Sequence, residues 1–351
     1  MCGYNIEQNY YFRRMILVTG GTGLLGSHLL YRLVSDGHRV KALKRKNSSI
    51  ALTEKIFSYY AKDILPLTER IEWVEGDLHD IYSLLDALQG VETLYHAAAA
   101  VSLDTGDDSL LLETNVQGTA NIVNAAIEQK VKKMCYVSTI GALGYEADYK
   151  MIDEETPWDA SSKKSAYSVS KYEAEREVWR GMAEGLEAVI VNPGVIIGPG
   201  DWQEGSPRLF STVYHGLKFY PRGTNGFVDV NDVVTAMPRL TENDVTGERF
   251  TVVSENVAYR QLFAWMAEAM NVPAPKYRLG KVIGEIGWRV AETIAYMTGK
   301  QPAITRDAVR SSGRFYAYSS KKLLETINME LMPVKDSVER TAEIFLQDIL
   351  K

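Results

Sequence analysis

The chain is nearly devoid of cysteine. Cys2 and Cys135 are the only two in 351 residues, too few for a disulfide framework. Cys135 sits in the apolar run Met134-Cys-Tyr-Val137 and reads as a small buried hydrophobe. No apolar run approaches the ~18–20 residues that span a bilayer. Residues 1–14 lack the apolar centre and small-residue cleavage site of a signal peptide, so they read as an extension ahead of the first strand. A basic excess is missing as well. Lys and Arg number 39 against 45 Asp and Glu, a net charge of −6, which excludes a general nucleic-acid or anionic-membrane binder. The five histidines, at 28, 38, 79, 96 and 215, show no metal-ligand spacing. Together these absences describe a metal-free chain suited to a reducing cytoplasm, with small molecules rather than membranes or nucleic acid as partners.

What the chain does have is an apolar strand running into glycines. Met15-Ile-Leu-Val-Thr19 is followed by glycines at 20, 21, 23 and 26 and then by an amphipathic helix bearing Leu25, Leu29, Leu33 and Val34 on one face. Gly20 suits a tight turn, Gly23 leaves room for a ligand, and Gly26 lets helix lie on strand. Backbone N–H groups and the positive end of the helix can then approach a pyrophosphate closely.

Short apolar segments at 15–19, 39–43, 71–75, 92–96, 133–137 and 187–191 alternate with helical patterns at 24–36, 80–88, 107–129 and 164–183. Such alternation predicts α/β architecture: a Rossmann-type doubly wound parallel sheet of six strands joined by crossover helices. The dinucleotide domain is expected over 15–192, with 226–255 returning to its sheet. Residues 193–225, rich in Gly and Pro, and 256–351, mostly helical, are expected to form a smaller substrate lobe. Trp265, Trp288, Tyr296, Phe315, Tyr316 and Tyr318 are available there to line an apolar pocket.

Lys44 and Arg45 stand about 20 residues after the glycines, where a site for an unphosphorylated ribose carries a carboxylate. Cations cannot accept from ribose hydroxyls but pair well with a 2′-phosphate. The reading is NADP(H) over NAD(H), with a solvated basic loop as its alternative. Asp77 is placed either to accept from an adenine amino group or to cap the next helix. Tyr167 and Lys171, four apart, share one helix face, and a fixed positive charge brings a phenol towards the working range of an acid/base group. The same spacing recurs at Tyr214/Lys218, Tyr277/Lys281, Tyr296/Lys300 and Tyr318/Lys322. Only Tyr167 follows a strand ending in paired hydroxyls, Ser138 and Thr139, one of which can hold a substrate oxygen. Asn115 is placed to orient a water or carbonyl behind the lysine, or is a helix-surface amide.

Thr19-Gly-Gly-Thr-Gly-Leu-Leu-Gly26, Gly76-Asp77-Leu78, His96-Ala-Ala-Ala99, Asn115-Val-Gln-Gly-Thr119, Val137-Ser-Thr139, Tyr167-Ser-Val-Ser-Lys171 and Asn192-Pro-Gly194 resemble, in order and spacing, the motifs of the extended short-chain dehydrogenase/reductase superfamily, the NAD-dependent epimerase/dehydratase family. The resemblance covers roughly residues 15–250. It implies a catalytic set of Tyr167, Lys171, Thr139 and Asn115. It also implies cofactor contacts from Gly20, Thr22, Gly23, Leu24, Leu25, Gly26, Lys44, Arg45, Asp77, Leu78, Ala97, Ala98, Ala99, Ser138, Tyr167, Lys171, Asn192, Pro193, Gly194 and Val195. Thr139 matches the catalytic hydroxyl, with Ser138 beside the cofactor. Homodimers formed through two helices per subunit, one carrying Tyr167, are implied too.

Val195-Ile-Ile-Gly-Pro-Gly-Asp201 and Gly226-Phe-Val-Asp-Val-Asn-Asp232 look most like the dihydroflavonol reductase and 3β-hydroxysteroid dehydrogenase branches. The leading expectation is an NADP(H)-dependent reductase of ketones or aldehydes, or oxidant of the matching alcohols, with a fairly apolar substrate. The alternative is an NAD-dependent nucleotide-sugar epimerase or dehydratase. Thr224-Asn-Gly226 weakens it, because those enzymes often carry an arginine there and this chain has Arg222 slightly upstream. A non-catalytic sensor on the same fold is third, and the complete Thr139/Tyr167/Lys171 set counts against it.

Overall fold

The computed structural model describes residues 15–101, 108–145, 151–159, 164–280, 288–289 and 313–350. The amino-terminal extension, Lys281, Tyr296 and Lys300 lie outside the described residues. In chain order the elements that build the site are β1 (Ile16–Thr19), α1 (Leu24–Ser35), β2 (Val40–Lys44), α2 (Ala51–Tyr60), β3 (Ile71–Glu75), α3 (Ile81–Leu88), β4 (Thr93–His96), α4 (Gly118–Glu128), β5 (Lys133–Val137), α5 (Ala166–Ala183) and β6 (Ala188–Pro193). Then follow β7 (Val195–Ile197), β8 (Thr224–Asp229), α6 (Val230–Glu242), β9 (Glu248–Val252), β10 (Glu255–Ala258), α7 (Tyr259–Ala269) and α8 (Val334–Ile349).

Seven parallel strands form the main sheet in the order β9-β6-β5-β4-β1-β2-β3. Parallel strands are covered on both faces, which is why β6 is buried at all six positions. The period of two divides β1 between two cores. Ile16 and Val18 face Leu29, Leu33, Val233 and Met237 of α1 and α6, while Leu17 faces Leu84, Ile122 and Val178 of α3, α4 and α5. The order reverses between β1 and β4, and the crevice beyond their carboxyl ends is the expected ligand position.

The doubly wound reading holds, with four corrections. The sheet has seven strands rather than six. The strand in 226–234 does not return to the main sheet: β8 lies between β7 and β10 in a second, three-stranded sheet. What returns is α6, and then β9 beside β6. Residues 51–60, which are not among the helical patterns read from the sequence, are helix α2, whose buried stripe is only Thr53, Ile56 and Phe57. The single helix expected over 107–129 is a short turn at Asp108–Leu111, a wide π-helical turn at Leu112–Gln117, and then α4. Trp202, Phe210, Phe263, Met266 and Phe345 make the core of the smaller lobe. Among the described residues no helix is long and apolar enough to cross a membrane.

Candidate active site

The glycine loop is built by close approach. Gly20 has φ +73°, and a Cβ on it would sit 2.6 Å from the Ala98 nitrogen on the neighbouring strand end. A Cβ on Gly26 would sit 2.0 Å from the Gly20 oxygen, so only glycine lets α1 rest on the loop. Gly23 is exposed, donates to the Gly20 carbonyl at 3.0 Å, and starts α1 with no side-chain cap. The first amides of α1 are therefore left for an outside acceptor. Thr22, Leu24 and Leu25 are half-buried around this opening. Gly200 closes against Leu24, and His28 ties the same excursion down by donating to the Pro199 carbonyl at 2.9 Å.

His96 braces the crevice. The Ala98 amide donates to Thr19 Oγ1 at 3.2 Å, the same oxygen shares a hydrogen bond with His96 Nδ1 at 2.7 Å, and His96 Nε2 shares another with Thr119 Oγ1 at 3.2 Å. Burial, with the charge of Lys171 second, pushes this imidazole down to about 3, so it stays neutral. Three elements are thereby locked behind Ala97, Ala98 and Ala99, whose small side chains leave the crevice open. Nothing in the sequence pattern around His96 announces this chain of bonds.

At the end of β2, Lys44 is half-buried and Arg45 exposed. Leu43 pairs with Thr19, which places both cations level with the glycine loop. Among the described residues neither forms an ion pair. Asp77 Oδ1 accepts from the His79 amide at 3.0 Å, whereas Asp80 caps α3 by accepting from Tyr82. The helix-cap alternative thus belongs to Asp80. Leu78 is buried against Gly118, and its carbonyl takes Asn121 Nδ2 at 2.8 Å.

Asn115 is no surface amide. It is 1% exposed, accepts from the Ala100 amide at 2.7 Å, and donates at 3.0 Å to both the Ala100 carbonyl and Ser170 Oγ. Standing in the π-helical turn, it clamps the β4 exit to α5. It does not reach Lys171 itself.

Ser165 caps α5 by accepting from the Ser168 amide, so Tyr167 lies in the first turn and Lys171 in the second. Tyr167 is half-buried, and its hydroxyl has no hydrogen-bond partner among the described residues. Burial raises this phenol to about 12. Lys171, 2% exposed, donates to the Val137 carbonyl at 2.7 Å and lies 4.3 Å from the centre of the Tyr136 ring. Burial pushes its amine down to about 7, with Glu175 acting in the other direction. Desolvation alone sets the direction of the phenol here, and the lowering expected from Lys171 does not appear.

Thr139 Oγ1 accepts from the Gly141 amide at 3.2 Å, which leaves its O–H free to donate. Ser138 is 4% exposed. Its hydroxyl is turned towards Glu175, outside hydrogen-bond geometry, and favours that carboxyl's ionised form. Thr139 is therefore the accessible one of the pair. Asn192 has no exposure; its Nδ2 bridges the Thr139 carbonyl at 3.0 Å and Glu175 Oε1 at 2.6 Å. After Pro193, Gly194 turns the chain from one sheet to the next, with no space for a Cβ against the Gly226 carbonyl, and leaves Val195 half-buried. Of the other tyrosine–lysine pairs, Tyr318 is buried in the lobe while Lys322 pairs with Glu248 at 2.5 Å, and Tyr214 packs on Phe345. Among the described residues no acidic, Cys or His cluster is arranged to hold a metal.

The strand-end crevice, glycine cradle and hydroxyl cluster agree with what comparison finds. The NAD dependent epimerase/dehydratase family model matches residues 16–253. A Synechocystis protein whose name assigns it provisionally to dihydroflavonol 4-reductase is 28% identical over 328 residues, 92% of this chain and 91% of that one. Sterol demethylase protein B of Methylococcus capsulatus is 30% identical over 311 residues, covering 88% and 87%. The crystal structure of gox2253 superposes with a TM-score of 0.78 at 30% identity, covering 95% and 98%. The chain belongs to the NAD dependent epimerase/dehydratase family and is an NAD(P)-dependent enzyme of oxidoreductase type.

Proposed function

We propose that the protein is an NADP(H)-dependent oxidoreductase that reduces a ketone or aldehyde, or oxidises the matching alcohol, on a fairly apolar substrate. The observation that carries this reading is the unpartnered hydroxyl of Tyr167, one helical turn from Lys171 and beside the strand end that presents Thr139. In reduction Tyr167 Oη gives its proton to the carbonyl oxygen, and Thr139 O–H donates to that same oxygen. The bound dinucleotide supplies the hydride that goes to the carbonyl carbon. In the reverse direction Tyr167 takes the alcohol proton. Two preorganised donors on one developing oxyanion are worth a few kcal/mol of barrier each.

The residues present fit a dinucleotide. The uncapped start of α1 and the cradle of Gly20, Gly23 and Gly26 suit its pyrophosphate. Asp77 and Leu78, with Ala97–Ala99, suit the adenosine half. Lys171, Gly194 and Val195 suit the nicotinamide half, with Asn115, Ser138 and Asn192 acting from behind. Lys44 and Arg45, free of carboxylate partners, suit a 2′-phosphate. The names of the two relatives support a carbonyl or alcohol substrate of the polycyclic kind.

The test is a titration with NADPH and with NADH, then a panel of ketones and aldehydes scored by loss of reduced-nicotinamide absorbance. Tighter NADPH binding and net consumption with an apolar carbonyl are expected. Tightly held NAD in the purified protein, with no net consumption on any carbonyl, would instead favour a nucleotide-sugar epimerase or dehydratase.

A further inference from the structure

A carboxylate sealed from solvent stands one turn beyond Lys171. Glu175 is 1% exposed, and the i, i+4 spacing on α5 gives it the same face as Lys171. Its Oε1 takes Asn192 Nδ2 at 2.6 Å, and that amide nitrogen also donates to the Thr139 carbonyl at 3.0 Å. Its Oε2 lies 3.4 Å from Arg249 Nη1. Arg249 is held in turn by the Glu154 carbonyl at 3.1 Å from Nε, and the Glu154 carboxylate accepts from the Thr251 amide.

A buried ion pair used only for stability is a poor device, because apolar side chains of similar volume do as well or better. Here the arrangement has another consequence. Both neighbours of Glu175 on the site side are members of that site. Lys171, buried and in contact with a carbonyl and a ring, has no carboxylate within ion-pair distance among the described residues. We propose that Glu175 is a positioning residue of the acid/base centre: its carboxylate favours the charged form of Lys171 one turn from Tyr167, and its grip on Asn192 fixes the main chain that presents Thr139. The proposal rests on the reading of Tyr167 as the proton-transfer group, but its effect on Lys171 is measurable without turnover.

The groups facing this pair come from every adjoining element. Tyr167 stands on α5, Tyr136 on β5, neutral His96 on β4 and Arg249 on β9. A cavity of about 370 Å³ on the far side of Glu175 adds Arg176, Glu248 and Lys322. Glu173 pairs with Arg176 and Glu248 with Lys322, so neither carboxylate stands in for Glu175 as a counter-charge to Lys171.

The test compares wild type with Glu175→Gln and Glu175→Asp by NMR titration of isotopically labelled lysine, followed by kcat and KM. In Glu175→Gln the Lys171 midpoint is expected to fall clearly below its wild-type position near 7, and kcat to fall about 10- to 100-fold with KM changed less than about threefold. Glu175→Asp, which keeps the charge, is expected to restore most of both. If Glu175→Gln alone does not fold, the double change Glu175→Gln/Arg249→Met removes the guanidinium that would otherwise lose its carboxylate and carries the same measurement, read against Arg249→Met alone. A Lys171 midpoint that stays put, with only a lower melting temperature, overturns the proposal. A midpoint that moves in a protein whose Tyr167→Phe variant is fully active sinks the acid/base reading and leaves the Glu175–Lys171 coupling standing.

Discussion

Two ends of one sheet treat positive charge in opposite ways. At the end of β2, Lys44 and Arg45 stand in or near solvent, without carboxylate partners among the described residues. Behind β5, Lys171 is sealed, rests on a ring and a carbonyl, and is pushed down to about 7. An exposed cation keeps its charge and recognises an anion by simple attraction. A buried one holds its charge conditionally, so its protonation can be set by a neighbour such as Glu175. The first arrangement suits recognition and the second suits chemistry.

The comparison is broken most severely at the buried end. Thr139→Val is expected to lower kcat by roughly 10²-fold or more while leaving NADPH affinity nearly unchanged, because it removes one donor to the developing oxyanion; a loss confined to KM would contradict that role. At the exposed end, Arg45→Ala is expected to weaken NADPH binding by about 10- to 100-fold, the worth of one charge-assisted phosphate contact, and to leave NADH binding alone. Equal losses for both dinucleotides would make Arg45 a general surface charge.

Gly26→Ala and Gly90→Ala sharpen the contrast between built and incidental glycines. The first forces a Cβ to 2.0 Å from the Gly20 oxygen, whereas the second, at φ +73°, meets nothing within 4 Å. We expect Gly26→Ala to cost about 1–3 kcal/mol and abolish dinucleotide binding. Gly90→Ala is expected to cost about 1 kcal/mol, from backbone conformation alone, with binding intact. Denaturant melts with and without NADPH separate the two.

A further effect is one of pH. Lys171 has its folded value lowered from the usual 10.5 to about 7, so between about 7 and 10.5 the unfolded chain binds more protons than the folded one. Its contribution to stability therefore rises with pH across that window and is unfavourable below it. Lys171→Met is expected to raise the melting temperature at pH 6–7, with the gain shrinking towards pH 10. A gain independent of pH would place the effect in packing rather than charge.

Much of the cofactor end was legible in the sequence because backbone geometry makes it. A strand, spaced glycines and a helix need no distant partner, and the strand-end Thr139 and the helix-start Tyr167 follow from local motifs. Less legible was whatever depends on which way a residue faces. Glu173 and Glu175 are two positions apart on α5, yet Glu173 is paired at the surface and Glu175 is sealed; helix spacing alone does not say which turns inward. The π-helical turn that swings Asn115 onto Ala100 leaves no periodic signature in six residues. Helix α2 buries too few side chains to announce itself. Strand β8 reads as a strand in the sequence but cannot declare which sheet it joins, and long-range pairing decided that.

The most direct test of the account is single-turnover hydride transfer in Tyr167→Phe with NADPH already bound. The account predicts that NADPH binds as in wild type while transfer to the carbonyl slows by about 10³-fold or more. Transfer at close to the wild-type rate would contradict it.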